Sequence, residues 1–577
     1  MSDNSSNNSD TFEIGLTMAG AVSGGAYTAG VLDYLVEALD AWQAQKDAEK
    51  NLPPEQRTAP KHNAVLCAAS GASAGSMCTA ILGMALNGKF PHVHWDGASD
   101  QNAVNGTGNP FFESWVKRIR IEDLLATDDK EVIPLPSLLN SKPIDRILQN
   151  ALNFVGTPVT RNWVANPFIT RFGVTNLRGV SYDIAMKGNT AAGHQMRVHA
   201  DHLDFSVAAP TGQTWSSMLP ELAAATKLAA KPSPTDANWQ SFGAAAVASG
   251  AFPFALKPRR LQRPKTDYAQ RQWLDVTSGA TAAVFIPPDR LPDTYGFYCM
   301  DGGLTDNEPF ELARQALTGG PWDNNPREGK KAFRAVVMID PFVEDANVPD
   351  DEAGRSKSGE PVKLQDLLMP MLDAWKMQCR FKPAELALAH RDDVYSRFLV
   401  APSRGDATPL TLHPLAAGGL GAFLGFCHET FRIHDYLLGR RNCQNFLQQH
   451  FTLPHDNPII KAGYFDAHDV ALPGLTKLCA KSGEWPIIPV IGALAAREES
   501  LPFWPEGKFK PEHLRELLDA RIAMVLDKLT EEVTSSMGWF VRFGIRIALP
   551  IAKYFAKRKM LDAAIEAMND ALRDQRL

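Results

Sequence analysis

The stretch Ala64–Gly88, AVLCAASGASAGSMCTAILGMALNG, limits the fold more tightly than any other in the chain. Ala64–Ala69 is an apolar run of strand length, and Gly71-Ala72-Ser73-Ala74-Gly75 is a G-x-S-x-G turn. Ser76–Leu86 is a mostly apolar helix that stops at Asn87-Gly88. A tight turn between a buried strand and a helix lifts the serine hydroxyl clear of the backbone, which is what gives G-x-S-x-G a meaning. Gly71 and Gly75 leave room where a Cβ would strike the neighbouring strand and helix. Ser73 also precedes a helix N-terminus, whose unpaired N–H groups favour developing negative charge. On these residues alone, a glycine-rich packing turn with an incidental serine is the alternative.

The chain has 577 residues, more than one ordinary core organises, so a catalytic domain plus a further domain or long appendage is expected. Hydrophobic residues at 45% and charged residues at 21% are globular values. A net charge of −6 and the lack of a basic arm argue against nucleic-acid partners. MSDNSSNNSD reads as a disordered leader (residues 1–11) with no signal peptide. No apolar run reaches roughly 18 residues without charge, so no transmembrane helix is expected. Seven scattered cysteines without a C-x-x-C pair look like small core residues in a reducing compartment, and the expected location is cytoplasmic.

Phe12–Met18 reads as a first strand, Gly20–Gly25 as a flexible loop and Ala26–Trp42 as a helix, so the chain opens in an α/β pattern. The Gly20–Gly25 loop lacks the Lys-Ser/Thr of a phosphate-binding P-loop and fails the dinucleotide G-x-G-x-x-G at Val22. What remains is a set of backbone donors suited to an oxyanion. Pro167–Thr175 is strand-like, and Gln195–Val207 alternates as one arm of a hairpin. Strand alternation splits His199 and Asp201 from His202 and Asp204, and a loop carries His92 and His94, so no metal and no cofactor are expected. Phe242–Leu256 is a small-residue helix broken at Pro253. Residues 12–342 form the expected catalytic domain and 343–361 the linker. Residues 362–577 are mostly helical, with helices at Leu364–Cys379, Phe431–Gln449 and Pro511–Val533.

A serine nucleophile needs a base and a separate oxyanion donor set. No histidine sits in a comparable turn motif, whereas Asp301 ends a strand and is followed by Gly302 and Gly303. A carboxylate with a pKa near 3.9 is a poor base unless it is desolvated and bonded directly to the serine hydroxyl.

The Gly-rich loop, GASAG with Ser73 and MDGG with Asp301, in that order, resemble the patatin-like phospholipases. VASGAFPFAL and Asn307-Glu-Pro309 are similar to that family too, and FRIHDYLLGRRNCQNFL resembles a bacterial branch of it. The resemblance implies a modified α/β-hydrolase three-layer sandwich with a catalytic Ser73–Asp301 dyad. It implies hydrolysis of acyl esters of phospholipids or acylglycerols through an acyl-enzyme. The family loop G-G-G-x-[RK]-G maps to Gly20, Ala21, Val22, Ser23, Gly24 and Gly25. Backbone amides of Gly20, Ala21 and Val22 are then the oxyanion donors, with Ser23 as an added one. Val22 is strained if the loop demands φ > 0 there, and the cationic position is Gly24. Two alternatives remain: a Ser-His-Asp esterase with His413 or His434 as base, and a weakened scaffold that binds membranes or partners.

Met537–Met560 carries six cations (Arg542, Arg546, Lys553, Lys557, Arg558, Lys559) and no acid. Its aromatic and basic sides separate at helical spacing, giving either an in-plane membrane-surface helix or a helix that packs its apolar face and exposes its basic one. Pro550 is expected to divide it into two short helices. Transient contact with the inner membrane face follows from the first reading.

Overall fold

Apart from residues 1–9, 187–188, 212, 218, 270, 275–282, 286–290, 320–324, 343–370, most of 372–392, 406–412 and 536–538, the computed structural model describes the whole chain. Its main elements begin with β1 (Thr11–Met18), α1 (Gly25–Glu49), β2 (Asn63–Gly71), α2 (Ala74–Ala85) and α3 (Lys142–Leu152). There follow β3 (Val164–Met186), β4 (Asn189–Val207), β5 (Thr226–Leu228), α4 (Ala237–Ser249), β6 (Arg259–Pro264) and β7 (Thr294–Met300). The chain continues through α5 (Phe310–Thr318), β8 (Arg334–Ile339), β9 (Arg397–Val400), α6 (Glu429–Gln449), α7 (Arg515–Ser535) and α8 (Trp539–Gln575).

These strands make one nine-stranded sheet in the order β9-β8-β1-β2-β3-β7-β6, with β4 on the other edge of β3 and β5 beyond it. From β9 to β3 the strands run parallel; β4 and β7 are antiparallel to β3. Both faces are covered. Ala64 and Leu66 of β2 and Val337 and Ile339 of β8 point into a core shared with α1 and α2, while Val65, Cys67, Val336 and Met338 pack on Phe310, Ala313 and Leu317 of α5. Strands buried on both sides read as unbroken apolar runs, which is how β2 and β8 look in sequence. The fold is thus α/β in three layers with a helical C-terminal region.

The helix expected at Phe242–Leu256 is shorter than its apolar pattern: α4 ends at Ser249, and Phe254 lies at φ 61°. Pro253 lacks the N–H a further turn needs and restricts the residue before it. The linker at 343–361 lies outside the described residues, as do nearly all of Leu364–Cys379 and the leader up to residue 9. Cys67, Cys78, Cys299, Cys427 and Cys443 are buried, and the described cysteines are free thiols.

The C-terminal region lies directly against α1. Its helix α6 crosses so closely that a Cβ on Gly30 would fall 2.0 Å from Tyr436 O, and one on Gly439 would fall 2.2 Å from Tyr27 O. Beside this crossing the buried Arg440 meets Asp33 at 2.5 Å, Glu37 at 2.7 Å and Glu499 at 2.8 Å. Burial alone would raise the Asp33 carboxyl, but the Arg440 guanidinium holds it well below the usual carboxylate range.

Helix α8 continues through Pro550 and is not divided in two. One missing i→i−4 bond is tolerated when several turns flank it on both sides. Lys553 and Lys557 face α7, meeting Asp527 at 3.0 Å and Asp519 at 2.7 Å, while Tyr554 and Phe555 are exposed. Arg558 and Lys559 are exposed, and further along the helix Leu561, Ile565, Met568 and Leu572 are buried in a core with Phe431 and Phe509. No helix among the described residues is long and apolar enough to cross a membrane.

Candidate active site

Strand β3 brings the site together. One of its edges carries β2 as far as Gly71↔Phe172, then β7, which arrives from the other direction and ends at Met300↔Thr175. The two strands leave the sheet close together, and their exit turns hold Ser73 and Asp301.

Ser73 occupies φ 51°, ψ −125°, and its Oγ donates to Asp301 Oδ2 at 2.6 Å. The conformation survives because a Cβ on Gly75 would lie 2.0 Å from Met18 O and one on Gly71 would lie 2.5 Å from the Gly75 carbonyl; only glycine permits that approach. The Ser73 amide donates to Ser249 Oγ at 2.9 Å, and Ser249 Oγ donates to Gly173 O at 2.5 Å, so the end of α4 props the elbow. Asp301 is held at three points. Its N–H donates to Ala251 O at 3.0 Å, its C=O accepts from Thr175 Oγ1 at 2.7 Å, and its Oδ1 accepts from the Gly303 N–H at 2.8 Å. Both residues of the pair are buried.

The Gly20–Gly25 loop departs from its sequence reading in two ways. The Gly20 amide donates to Asn307 O at 2.9 Å and is not an available oxyanion donor. A Cβ there would fall 2.4 Å from Asn307 Oδ1 and 3.1 Å from the Ser73 Cβ, so the glycine serves close approach. Ser23 is not an added donor either: its N–H donates to Ala422 O at 3.2 Å and its hydroxyl to the same carbonyl. At Gly24, where the pattern has a cation, a Cβ would meet the Phe342 ring at 2.6 Å. The amides of Ala21 and Val22 have no protein acceptor among the described residues. Nor has that of Ala74, a position the sequence reading missed although it follows the elbow serine. Val22 lies at φ 47°, a region that costs a β-branched residue about 1–3 kcal/mol.

An apolar cavity borders Ser73; its walls include Val22, Met77, Trp115, Phe252, Phe423 and Phe426. A second, almost wholly apolar cavity adjoins it, since Met77, Trp115, Ile119 and Ile144 line both. Phe423 and Phe426 come from the C-terminal region and carry no motif that a sequence reader would single out. Among the described residues, no histidine lines the cavity at Ser73. His434 is buried with Nδ1 2.7 Å from Asp435 Oδ1, and burial lowers its pKa. His413 Nδ1 accepts from the Leu415 N–H at 3.1 Å and its ring packs on Phe342.

The acidic and histidine residues of β4 separate onto two faces as the alternation predicts, and arginines already fill both. Asp201 meets Arg263 and Arg271 on one side, and Asp204 meets Arg171 at 2.9 Å on the other. His94, Glu37 and Glu499 cluster around Arg440 in the same manner.

The three-layer fold, the glycine-flanked elbow serine and the buried carboxylate bonded to it define a class of α/β proteins that bring a serine and a carboxylate together at strand ends. The patatin-like phospholipase family model matches residues 16–314, and the chain belongs to that family, whose general activity is lipid acyl hydrolysis. A relative from Sinorhizobium fredii, the uncharacterized protein y4iI, is 33% identical over an aligned length of 565 residues, and the alignment covers 91% of this chain and 77% of the relative. The solved structure of VipD from Legionella pneumophila aligns with 98% of this chain and 86% of its own at 10% identity, with a TM-score of 0.18, which carries no argument.

Proposed function

We propose that this chain hydrolyses carboxylic esters of phospholipids or acylglycerols through a Ser73–Asp301 pair that needs no histidine. The observation that carries this reading is the 2.6 Å bond from Ser73 Oγ to Asp301 Oδ2 at the edge of an apolar cavity. Ser73 Oγ attacks the ester carbonyl carbon while its proton passes to Asp301 Oδ2. The carbonyl oxygen becomes an oxyanion held by amides of Ala21, Val22 and Ala74. Collapse breaks the ester C–O bond, and the departing alcohol takes the proton from Asp301. A water molecule then attacks the acyl-serine, giving its proton to Asp301. The second tetrahedral species releases the fatty acid, and the proton returns to Ser73 Oγ.

The adjoining apolar cavities suit the acyl chain, each buried methylene contributing about 0.8 kcal/mol. Leu138 and Phe254 are exposed, with the Leu138 N–H bonded to Phe254 O at 2.8 Å, and their neighbours Leu139 and Leu256 line the cavity. An apolar outer rim of this kind, together with exposed Tyr554 and Phe555, supports transient contact with a membrane surface. The test is fatty-acid release from mixed phospholipid and acylglycerol vesicles by the full chain and by Ser73→Ala. Release should depend on Ser73; equal release by both proteins would refute the reading.

A further inference from the structure

The loop that carries the oxyanion donors is held from outside the family-matched region. Leu420, Gly421 and Ala422 lie in succession at φ 55°, 59° and 72°. Three consecutive left-handed residues, two of them bearing a Cβ, are costly, and such strain persists only where surrounding contacts fix it. The contacts here lead to Ser23. Its N–H donates to Ala422 O at 3.2 Å, its hydroxyl donates to the same carbonyl, and that hydroxyl accepts the Gly425 N–H at 3.1 Å. All are buried, and Gly425 has no room for more: a Cβ there would fall 2.5 Å from Ser23 Oγ and 3.0 Å from Ser23 Cβ. The residue next to Ser23 is Val22, itself at φ 47° and lining the cavity with Ser73. Two strained segments some 400 positions apart in the chain are thus pinned to each other through one serine side chain.

We propose that the 415–426 segment is a positioning element of the active site: by clamping Ser23 it holds Val22 at positive φ and aims the Val22 amide at the ester oxygen. A glycine at this position would need no such restraint, because glycine reaches positive φ without a penalty. Here a valine occupies it, and the restraint comes from the C-terminal half. Ser23 touches neither substrate nor nucleophile and is a positioning residue. The inference rests on the Ser73 reading of the site, and the experiment separates the two.

Ser23→Ala removes the hydroxyl from the clamp, and Gly425→Ala breaks it from the far side through the close Cβ. Each is assayed on a short-chain nitrophenyl ester, with kcat expressed per serine titrated by a fluorophosphonate so that misfolded protein is not counted. Both should lower kcat by about 10- to 100-fold, approaching the loss of one oxyanion donor, with KM little changed. Adding Val22→Gly to Ser23→Ala should recover most of that kcat, because the restraint is then unnecessary. A purely packing role for Ser23 would give no such recovery. Wild-type kcat in both single variants, a loss carried by KM, or a kcat loss that Val22→Gly leaves untouched would overturn the clamp. Full activity in Ser73→Ala would instead refute the nucleophile, a result distinguishable from any of these.

Discussion

Two loops face the same cavity and are stabilised in different ways. The elbow around Ser73 meets its demands locally: Gly71 and Gly75 allow the close approach, Ser249 props the amide, and every partner lies in the family-matched residues 16–314. The Gly20–Gly25 loop keeps an equally unusual conformation with a valine, and it is fixed from two sides, by Asn307 at Gly20 and by Ala422 and Gly425 at Ser23. The elbow is therefore self-contained, whereas the Gly20–Gly25 loop draws on both halves of the chain. Under the proposed reading, the reacting pair is held by its own motif, while the loop that would donate to the oxyanion is braced in part by a region that carries no motif.

The largest expected effect falls on the self-contained side. Ser73→Ala and Asp301→Asn should each reduce kcat by about 1,000-fold or more, and the double variant should be no worse than either, as expected of groups that act as a unit. A single His→Ala change with an equal loss would break the comparison by restoring a conventional triad. Next comes the seam between the halves. Arg440→Met removes the guanidinium shared by the buried Asp33 and Glu499 and the half-buried Glu37, leaving His92 on Asp33 and Arg497 on the two glutamates, at a cost of up to about 3–5 kcal/mol. The melting midpoint should fall clearly, and kcat per titrated serine should fall with it if the donor loop depends on the seam.

Acid sharpens the same point. Asp33 and Asp201 have carboxyls held below their ordinary range, against burial, by Arg440 and by Arg271 with Arg263. A depressed native pKa contributes stability that is complete above the unfolded value, about 4, and that disappears as pH falls through the native one. The melting midpoint should be insensitive to these groups at neutral pH and decline below about pH 4. In Arg440→Met the decline should begin at higher pH, because burial then raises Asp33 with only His92 and the Val93 amide to oppose it. The smallest effect concerns the surface. Tyr554→Ser with Phe555→Ser should weaken co-sedimentation with vesicles by only a few-fold, anionic or not, because Lys553 and Lys557 already pair with α7 acids. Strong dependence on anionic lipid would mean those pairs open at the membrane.

Much of this centre is legible in sequence because glycine and strand length leave few alternatives. The β2–elbow–α2 unit reads correctly, since a buried strand, two glycines and an apolar helix fit one geometry. The α1 and α6 helices are also legible, from their periodicity, but their crossing at Gly30 and Gly439 is not, because nothing local tells one glycine which distant carbonyl it will meet. Gly20 misled for a related reason: its amide is spoken for by Asn307 O, a partner far along the chain. At Val22 the pattern did flag strain, and φ 47° is that strain, but its counterpart at Leu420–Ala422 has no sequence signature. Pro550 misled in the opposite sense, since a breaker in a long helix need not break it.

The central claim is that Ser73 is activated directly by Asp301, and its most direct test is the rate and site of covalent labelling by a fluorophosphonate. Peptide mapping of the labelled wild-type chain should find the adduct on Ser73, and Asp301→Asn should label at least about 100-fold more slowly while still melting as a folded protein. An adduct on another serine, or labelling of Ser73 in Asp301→Asn at the wild-type rate, would contradict it.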